Sequence, residues 1–202
     1  MNKQNTNDLK DEYFEVRTPF VQKIFKNRLK VAVELAVIKN ESMILDVGCH
    51  TGYLLKMIKN QNSSTKCYGV DIDDAVLNPI VDNCDLRKAD VKNMPFNDKY
   101  FDIVFATDVL EHVDEIDTAV KEIKRVIKSN GVAVLCGPTE SWFYQLCRFL
   151  YIGKFRYGGH KHTIYDIEKI FESNDFKLIK QKSLPGFPFP ELFRISVFKK
   201  IE

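Results

Sequence analysis

The chain has 202 residues, enough for one domain with a full apolar core. Its hydrophobic fraction of 45% and charged fraction of 29% are ordinary for a globular protein, and a net charge of +2 with interspersed signs gives no ground for a nucleic-acid partner. The five cysteines (Cys49, Cys67, Cys84, Cys136 and Cys147) are odd in number and have no C-x-x-C spacing, so neither a disulfide framework nor a zinc site is expected.

The start of the chain is polar and lacks an apolar signal core, and no run of about 18 uncharged apolar residues occurs. A cytoplasmic location with no transmembrane segment is therefore expected. Residues 1–40 read as an N-terminal helical segment, with one helix ahead of Pro19 and another from about Phe20 to Ile38. Phe20, Ile24, Val31, Leu35 and Ile38 carry the helical spacing, interrupted by Lys26-Asn27-Arg28. Two roles are open for it: a helix packed on a sheet, or a flap over a ligand with Tyr13 and Arg17 pointing in.

Residues 41–137 alternate strand and helix. The expected elements are a strand at 43–47, a helix from Tyr53 to Lys59, a strand at 66–71 and a short helix capped by Asp74 that ends before Pro79. A short strand from Cys84 to Ala89 follows, then a loop through Pro95 and a buried strand from Phe101 to Ala106. A helix from Ile116 to Ile127, closed by Asn130-Gly131, leads to a strand from Val132 to Cys136. This rhythm argues an α/β fold with a parallel sheet covered on both faces.

After residue 137 the rhythm changes. Residues 138–175 form an expected cap insertion. Ser141 to Ile152 reads as an apolar helix with one narrow polar stripe, Ser141, Gln145 and Arg148. A basic loop with Lys154, Arg156, His160, Lys161 and His162 follows. Thr163 then caps a helix from Ile164 to Glu172, with Asp166 and Glu168 in its first turn. Residues 176–202 hold the final strands, Phe176 to Lys182 and Ile195 to Phe198, with Pro185, Pro188 and Pro190 between them. No repeat or second domain is visible, and residues 1–202 read as one domain.

The chemistry is expected where the first two strands end. Asp46 closes the first strand, and Gly48 and Gly52 bracket a tight turn into a helix whose positive dipole end faces the turn. Asp71 closes the second strand about 20 residues on, placed to accept hydrogen bonds from both hydroxyls of a ribose. The order G-x-x-x-G does not fit the dinucleotide fingerprint G-x-G-x-x-G, and no phosphate-binding G-x-x-x-x-G-K-[ST] occurs. Asp46 beside the turn suits a cationic group better than a pyrophosphate.

Leu45-Asp46-Val47-Gly48-Cys49-His50-Thr51-Gly52 resembles the first motif of class I S-adenosylmethionine-dependent methyltransferases, of the type 11 kind. Gly69-Val70-Asp71-Ile72-Asp73, Ala89-Asp90-Val91 with Met94-Pro95-Phe96, Phe101 to Val113 and Gly131 to Leu135 are similar to the family's later segments, in order. The resemblance covers residues 40–137 well, and His162-Thr163 through Asp175-Phe176 more loosely. It implies a Rossmann-like three-layer α/β/α sandwich with a seven-stranded sheet ordered 3-2-1-4-5-7-6, the last strand antiparallel. It also implies S-adenosylmethionine as cofactor and S-adenosylhomocysteine as product. Asp46, Gly48, Cys49, His50 and Gly52 would face the methionine part. Asp71 would hold the ribose, Ile72 would pack on the adenine, Asp90 and Val91 would reach its nitrogens, and Thr107 would line the sulfonium side.

His50 departs from the family pattern, which has glycine there. It can point outward with binding intact, contact the cofactor or substrate, or mark a catalytically silent relative that binds the cofactor or a partner protein. Methyl transfer to a protonated oxygen or nitrogen also needs a base, for which His112, His160 and His162 are the candidates. His112 is the catalytic candidate, against its alternative as packing for the turn after the fourth strand. Tyr13, Arg17, Trp142, Tyr144, His160 and His162 are candidates for the acceptor side. The aromatic stretch 141–157 is either a packed cap helix or an apolar, lipid-facing element able to touch a membrane surface. A small, lipid-like acceptor is therefore expected over a nucleic acid.

Overall fold

A computed structural model describes residues 19–74, 78–152, 160–185 and 190–201. The expected helix ahead of Pro19, Tyr13 and Arg17, the turn after Asp74, and Lys154 and Arg156 lie outside the described residues. The elements in order are α1 (Pro19–Ala36), β1 (Met43–Val47), α2 (Tyr53–Gln61), β2 (Lys66–Asp71), β3 (Cys84–Lys88), β4 (Phe101–Thr107), a single 3-10 turn (Leu110–His112), α3 (Ile116–Val126), β5 (Ile127–Pro138), α4 (Trp142–Ile152), α5 (Ile164–Ser173), β6 (Phe176–Leu184) and β7 (Phe193–Lys200).

The seven strands form one sheet in the order β3-β2-β1-β4-β5-β7-β6. Strands β1 to β5 run parallel, and β7 is antiparallel to both β5 and β6. This is the topology implied by the sequence resemblance. Chain order reverses between β1 and β4, which opens a crevice at the carboxyl ends of those strands.

Period-2 alternation sorts the strand residues into two apolar layers. Ile44 faces α1 and α2, while Leu45 and Val47 face α3 and α5. In β4, Phe101 and Val104 share one face and Ile103 and Phe105 the other, so the alternation slips by one residue. The slip coincides with a break in register, where β4 passes from Phe101 to Ile103 while β5 passes from Ile127 to Val132.

Three sequence expectations are corrected here. Asn130-Gly131 does not cap a helix: α3 ends at Val126, and β5 already begins at Ile127, paired with Phe101. Asn130 has φ 67°, and a Cβ on Gly131 would sit 3.0 Å from the Asp102 carbonyl oxygen. Glycine serves the close strand approach beside the break in register, not a helix end. Glu168 lies beyond the first turn of α5. It is buried and accepts hydrogen bonds from Gln181 (3.1 Å), Arg194 (3.3 Å) and Ser196. Thr163 and Asp166 do form the reciprocal cap.

The helix expected from Ser141 also begins one residue later: α4 starts at Trp142, with Ser141 as its cap. The Ser141 hydroxyl accepts from the Tyr144 N–H at 3.2 Å, and the Gln145 side-chain amide donates to the Glu140 carbonyl at 3.1 Å. The Ser141 and Gln145 side chains both satisfy backbone groups at the helix entrance. Among the described side chains of α4, Trp142, Leu146 and Phe149 are exposed, with Trp142 at 74%.

Candidate active site

The crevice between β1 and β4 is a cleft of about 300 Å³. Of the residues expected to hold the cofactor, Gly48, Asp71, Ile72, Asp90 and Val91 line it, and His112 lines it from the β4 side. Asp46, Cys49, His50, Gly52 and Thr107 are not among the lining residues.

The glycine loop is held by its own backbone. The N–H groups of Gly48 and Cys49 both donate to the Val70 carbonyl, at 2.8 and 3.1 Å, and the Gly52 N–H donates to the Cys49 carbonyl at 2.8 Å. Gly48 has φ 73°, and a Cβ there would meet the Val109 side chain at 2.7 Å. Left-handed backbone and close approach together require glycine. Gly52 has φ 88° and opens α2 under Val81. Cys49 is buried, and its sulfur packs where a Cβ on Gly69 would stand. Burial, then the charges of Asp46 and Asp71, push its thiol well above the usual range. Its role is packing beneath the loop.

Asp71 does more than end β2. Its Oδ2 accepts the His50 N–H at 2.8 Å, and its Oδ1 accepts the Asp73 N–H at 2.9 Å. One carboxylate thereby ties the glycine loop to the turn after β2. Each oxygen retains a second lone-pair direction for a ligand hydroxyl. Ile72, 70% exposed at the lip of the cleft, offers an apolar surface to a flat ring. Just past the cleft's Asp90–Lys92 edge, Glu122 accepts the Met94 N–H at 2.7 Å and Arg125 donates to the Phe96 carbonyl at 2.8 Å.

His50 has φ 45° and so adopts the left-handed conformation that the family fills with glycine. Its backbone serves Asp71 as a glycine would.

Two buried oxygens flank the loop without a hydrogen-bond partner among the described residues, Asp46 Oδ1 and Thr51 Oγ1. Burial, followed by the nearby charge of Asp71, raises the Asp46 carboxyl well above its ordinary pKa. A carboxylate and a hydroxyl left without partners fit the ammonium and carboxylate of an amino-acid group. S-adenosylmethionine carries that group, so the residues fit it. Thr51 was missed in the sequence; its place between His50 and Gly52 was the available signal.

Past β4 the site is built from charged side chains. Asp108, at φ 55°, receives two guanidinium nitrogens of Arg28, one at 2.5 Å. Arg28 is 1% exposed, and its guanidinium lies 3.9 Å from the Phe25 ring centre and 4.7 Å from that of Phe193. The expected interruption in α1 is thus its inward anchor, and α1 packs on β5 and β7. Glu111 is buried and its carboxyl is pushed up to about 8, first by burial and then by Asp108, with Arg28 pulling the other way.

The segment 160–162 straps across this turn. The Lys161 N–H donates to the Glu111 carbonyl at 2.7 Å, and His162 Nε2 lies 3.0 Å from the Val113 carbonyl. His160 Nδ1 meets Glu140 Oε1 at 2.7 Å, and its ring meets the His112 ring edge-on at 4.8 Å between centres. His162 therefore holds the strap, while His160 and His112 come together. Tyr144 packs edge-on against Phe193 at 5.6 Å.

Together the topology, the loop after β1 and the acid ending β2 define a Rossmann-like protein whose β1–β4 switch point is shaped for a nucleoside cofactor. Residues 45–135 match the family model for a methyltransferase domain. A sterol 4-C-methyltransferase of Caenorhabditis elegans is 31% identical over 140 residues, covering 60% of this chain and 41% of that protein. A demethylmenaquinone methyltransferase of Staphylococcus carnosus is 25% identical over 198 residues, covering 89% and 76%. The chain thus spans less than half the length of the nematode relative. Among solved structures, the [4+2]-cyclase SpnF superposes with a TM-score of 0.73 at 16% identity, covering 89% of this chain and 82% of that one, a likeness of fold alone. The match over residues 45–135, taken with the sheet order, supports a class I S-adenosylmethionine-dependent methyltransferase family.

Proposed function

We propose that this protein transfers a methyl group from S-adenosylmethionine to a small, lipid-like acceptor. The observation that carries the reading is the cleft itself, with Gly48, Asp71, Ile72, Asp90 and Val91 on one side and His112 on the other. Bound there, the cofactor would supply an activated methyl on a sulfonium. The chain's part is to orient and to exclude water. Asp71 would hold the ribose hydroxyls and Ile72 would cover one ring face. Asp46 and Thr51 would take the charged methionine end. Thr107, which ends β4, would stand near the sulfonium, and His112 would meet the acceptor.

Two things support an apolar acceptor. Two relatives are named for sterol and demethylmenaquinone substrates. Trp142, Leu146 and Phe149 stand exposed on α4, which follows β5 at the acceptor end. Aromatic and aliphatic residues on one helix face favour a lipid interface, and Lys154 and Arg156 follow in sequence. Among the described residues no helix is long and apolar enough to cross a membrane, so contact would be peripheral.

Calorimetric titration with S-adenosylhomocysteine tests the cofactor site, and saturable binding is expected. Transfer of tritiated methyl to quinols or sterols presented in vesicles tests the acceptor class. Label that enters only water-soluble acceptors would overturn the lipid reading. Absence of heat would overturn the cofactor reading and favour a silent relative.

A further inference from the structure

Glu111, His112 and His160 each present a ligand atom, and these three atoms lie within 4.8 Å of one another. Two come from adjacent residues of the 3-10 turn. The third is delivered from across the chain by the strap, through the backbone bond from Lys161 to Glu111. Two imidazoles and a carboxylate are the donor set of zinc and related divalent ions. None of the cysteines takes part, so their spacing in the sequence had no bearing on it.

Two features go beyond proximity. Glu140 Oε1 contacts His160 Nδ1 at 2.7 Å, the carboxylate–imidazole pairing that orients metal-bound histidines and directs Nε2 to the ion. Glu111 is also buried in the field of Asp108 and Glu140, with Arg28 as the opposing cation. Metal bonds of about 2.0–2.2 Å put tetrahedral ligands roughly 3.3 Å apart, so the three atoms need close by only about 1.5 Å.

We propose that Glu111, His112 and His160 bind one divalent ion, zinc by donor set, at the acceptor end of the cleft. His112 lines the cleft, so the position left open by three protein ligands faces it. An acceptor hydroxyl bound there loses its proton to solvent more readily, because the ion stabilises the oxyanion. His112 then serves as a ligand and not as a base. The binding claim does not depend on the methyltransferase reading.

The test uses tag-free protein dialysed against a chelator. Cobalt(II) chloride is titrated while visible absorption is followed, and zinc chloride is titrated by calorimetry. One equivalent is expected, with the ligand-field bands of a nitrogen and oxygen site. His160→Ala and Glu111→Gln should each abolish the cobalt bands, and Glu140→Gln should weaken zinc binding by about 10–100-fold. S-adenosylhomocysteine binding by the variants reports their folding and is expected to persist. Zinc heat equal in wild type and both ligand variants would overturn the proposal, as would a thiolate charge-transfer band. Metal binding without S-adenosylhomocysteine binding would sink the cofactor reading and leave this one standing.

Discussion

The two ends of the cleft are built from different materials. At the ends of β1 and β2, the Gly48–Gly52 loop is held by backbone hydrogen bonds and by one carboxylate, Asp71. At the ends of β4 and β5, Arg28, Asp108, Glu111, Glu140 and His160 hold the structure through charge. The first half needs a few residue types at fixed spacing. The second needs pairs to meet from distant parts of the chain. A cofactor common to a family suits the first arrangement, and an acceptor particular to each member suits the second.

The largest expected effect falls on the charged half. Arg28→Ala removes the countercharge of Asp108 and should destabilise the fold by roughly 3–5 kcal/mol in urea unfolding. An Arg28→Met/Asp108→Asn double variant should recover a large share of that loss, because no buried charge is then left alone. If the single and double variants unfold alike, packing on Phe25 and Phe193 outweighs the ion pair.

Gly48→Ala tests the backbone half. Left-handed φ and the Val109 contact should cost about 1–3 kcal/mol of stability. S-adenosylhomocysteine affinity should fall with it, measured by calorimetry. Normal binding by a destabilised variant would show that the loop yields without reshaping the cleft.

Asp46→Asn gives opposite signs for stability and binding. The folded protein holds the Asp46 proton at pH values where the unfolded chain has lost it. Wild-type stability therefore falls as pH rises from the ordinary carboxylate range through the raised value, and asparagine removes that slope. Relative to wild type, the variant's melting temperature should rise as pH rises above the ordinary carboxylate range. Its affinity for S-adenosylhomocysteine should drop by about tenfold, because the ligand's ammonium favours an ionised Asp46 and asparagine cannot ionise.

The smallest effect is expected at His50. His50→Gly relieves a left-handed non-glycine residue but adds freedom to the unfolded chain, for a net gain of about 0.5–1 kcal/mol. Ligand affinity should hardly change, because the backbone N–H that His50 gives to Asp71 is one that glycine supplies equally. A large loss of affinity would make the imidazole a ligand contact.

What the sequence determined lies close along the chain. The strand order follows from the resemblance of segments in series. The turn at Gly48, the acid at Asp71 and the Thr163–Asp166 cap each depend on neighbours a few residues away, or on one parallel pairing. Local spacing is enough to specify such contacts. Tertiary structure alone decided the rest. The Arg28–Asp108 pair spans 80 residues and the Glu140–His160 pair spans 20, and neither has a periodicity to announce it. The seating of α4 rests on Tyr144 meeting the Phe193 ring from far along the chain, which hydrophobic pattern does not encode. Gly131 looked like a helix stop because glycine is permissive in both settings, and only the pairing of Ile127 with Phe101 separated them. Buried charge is stable only where a partner arrives to meet it, and that arrival is a property of the fold.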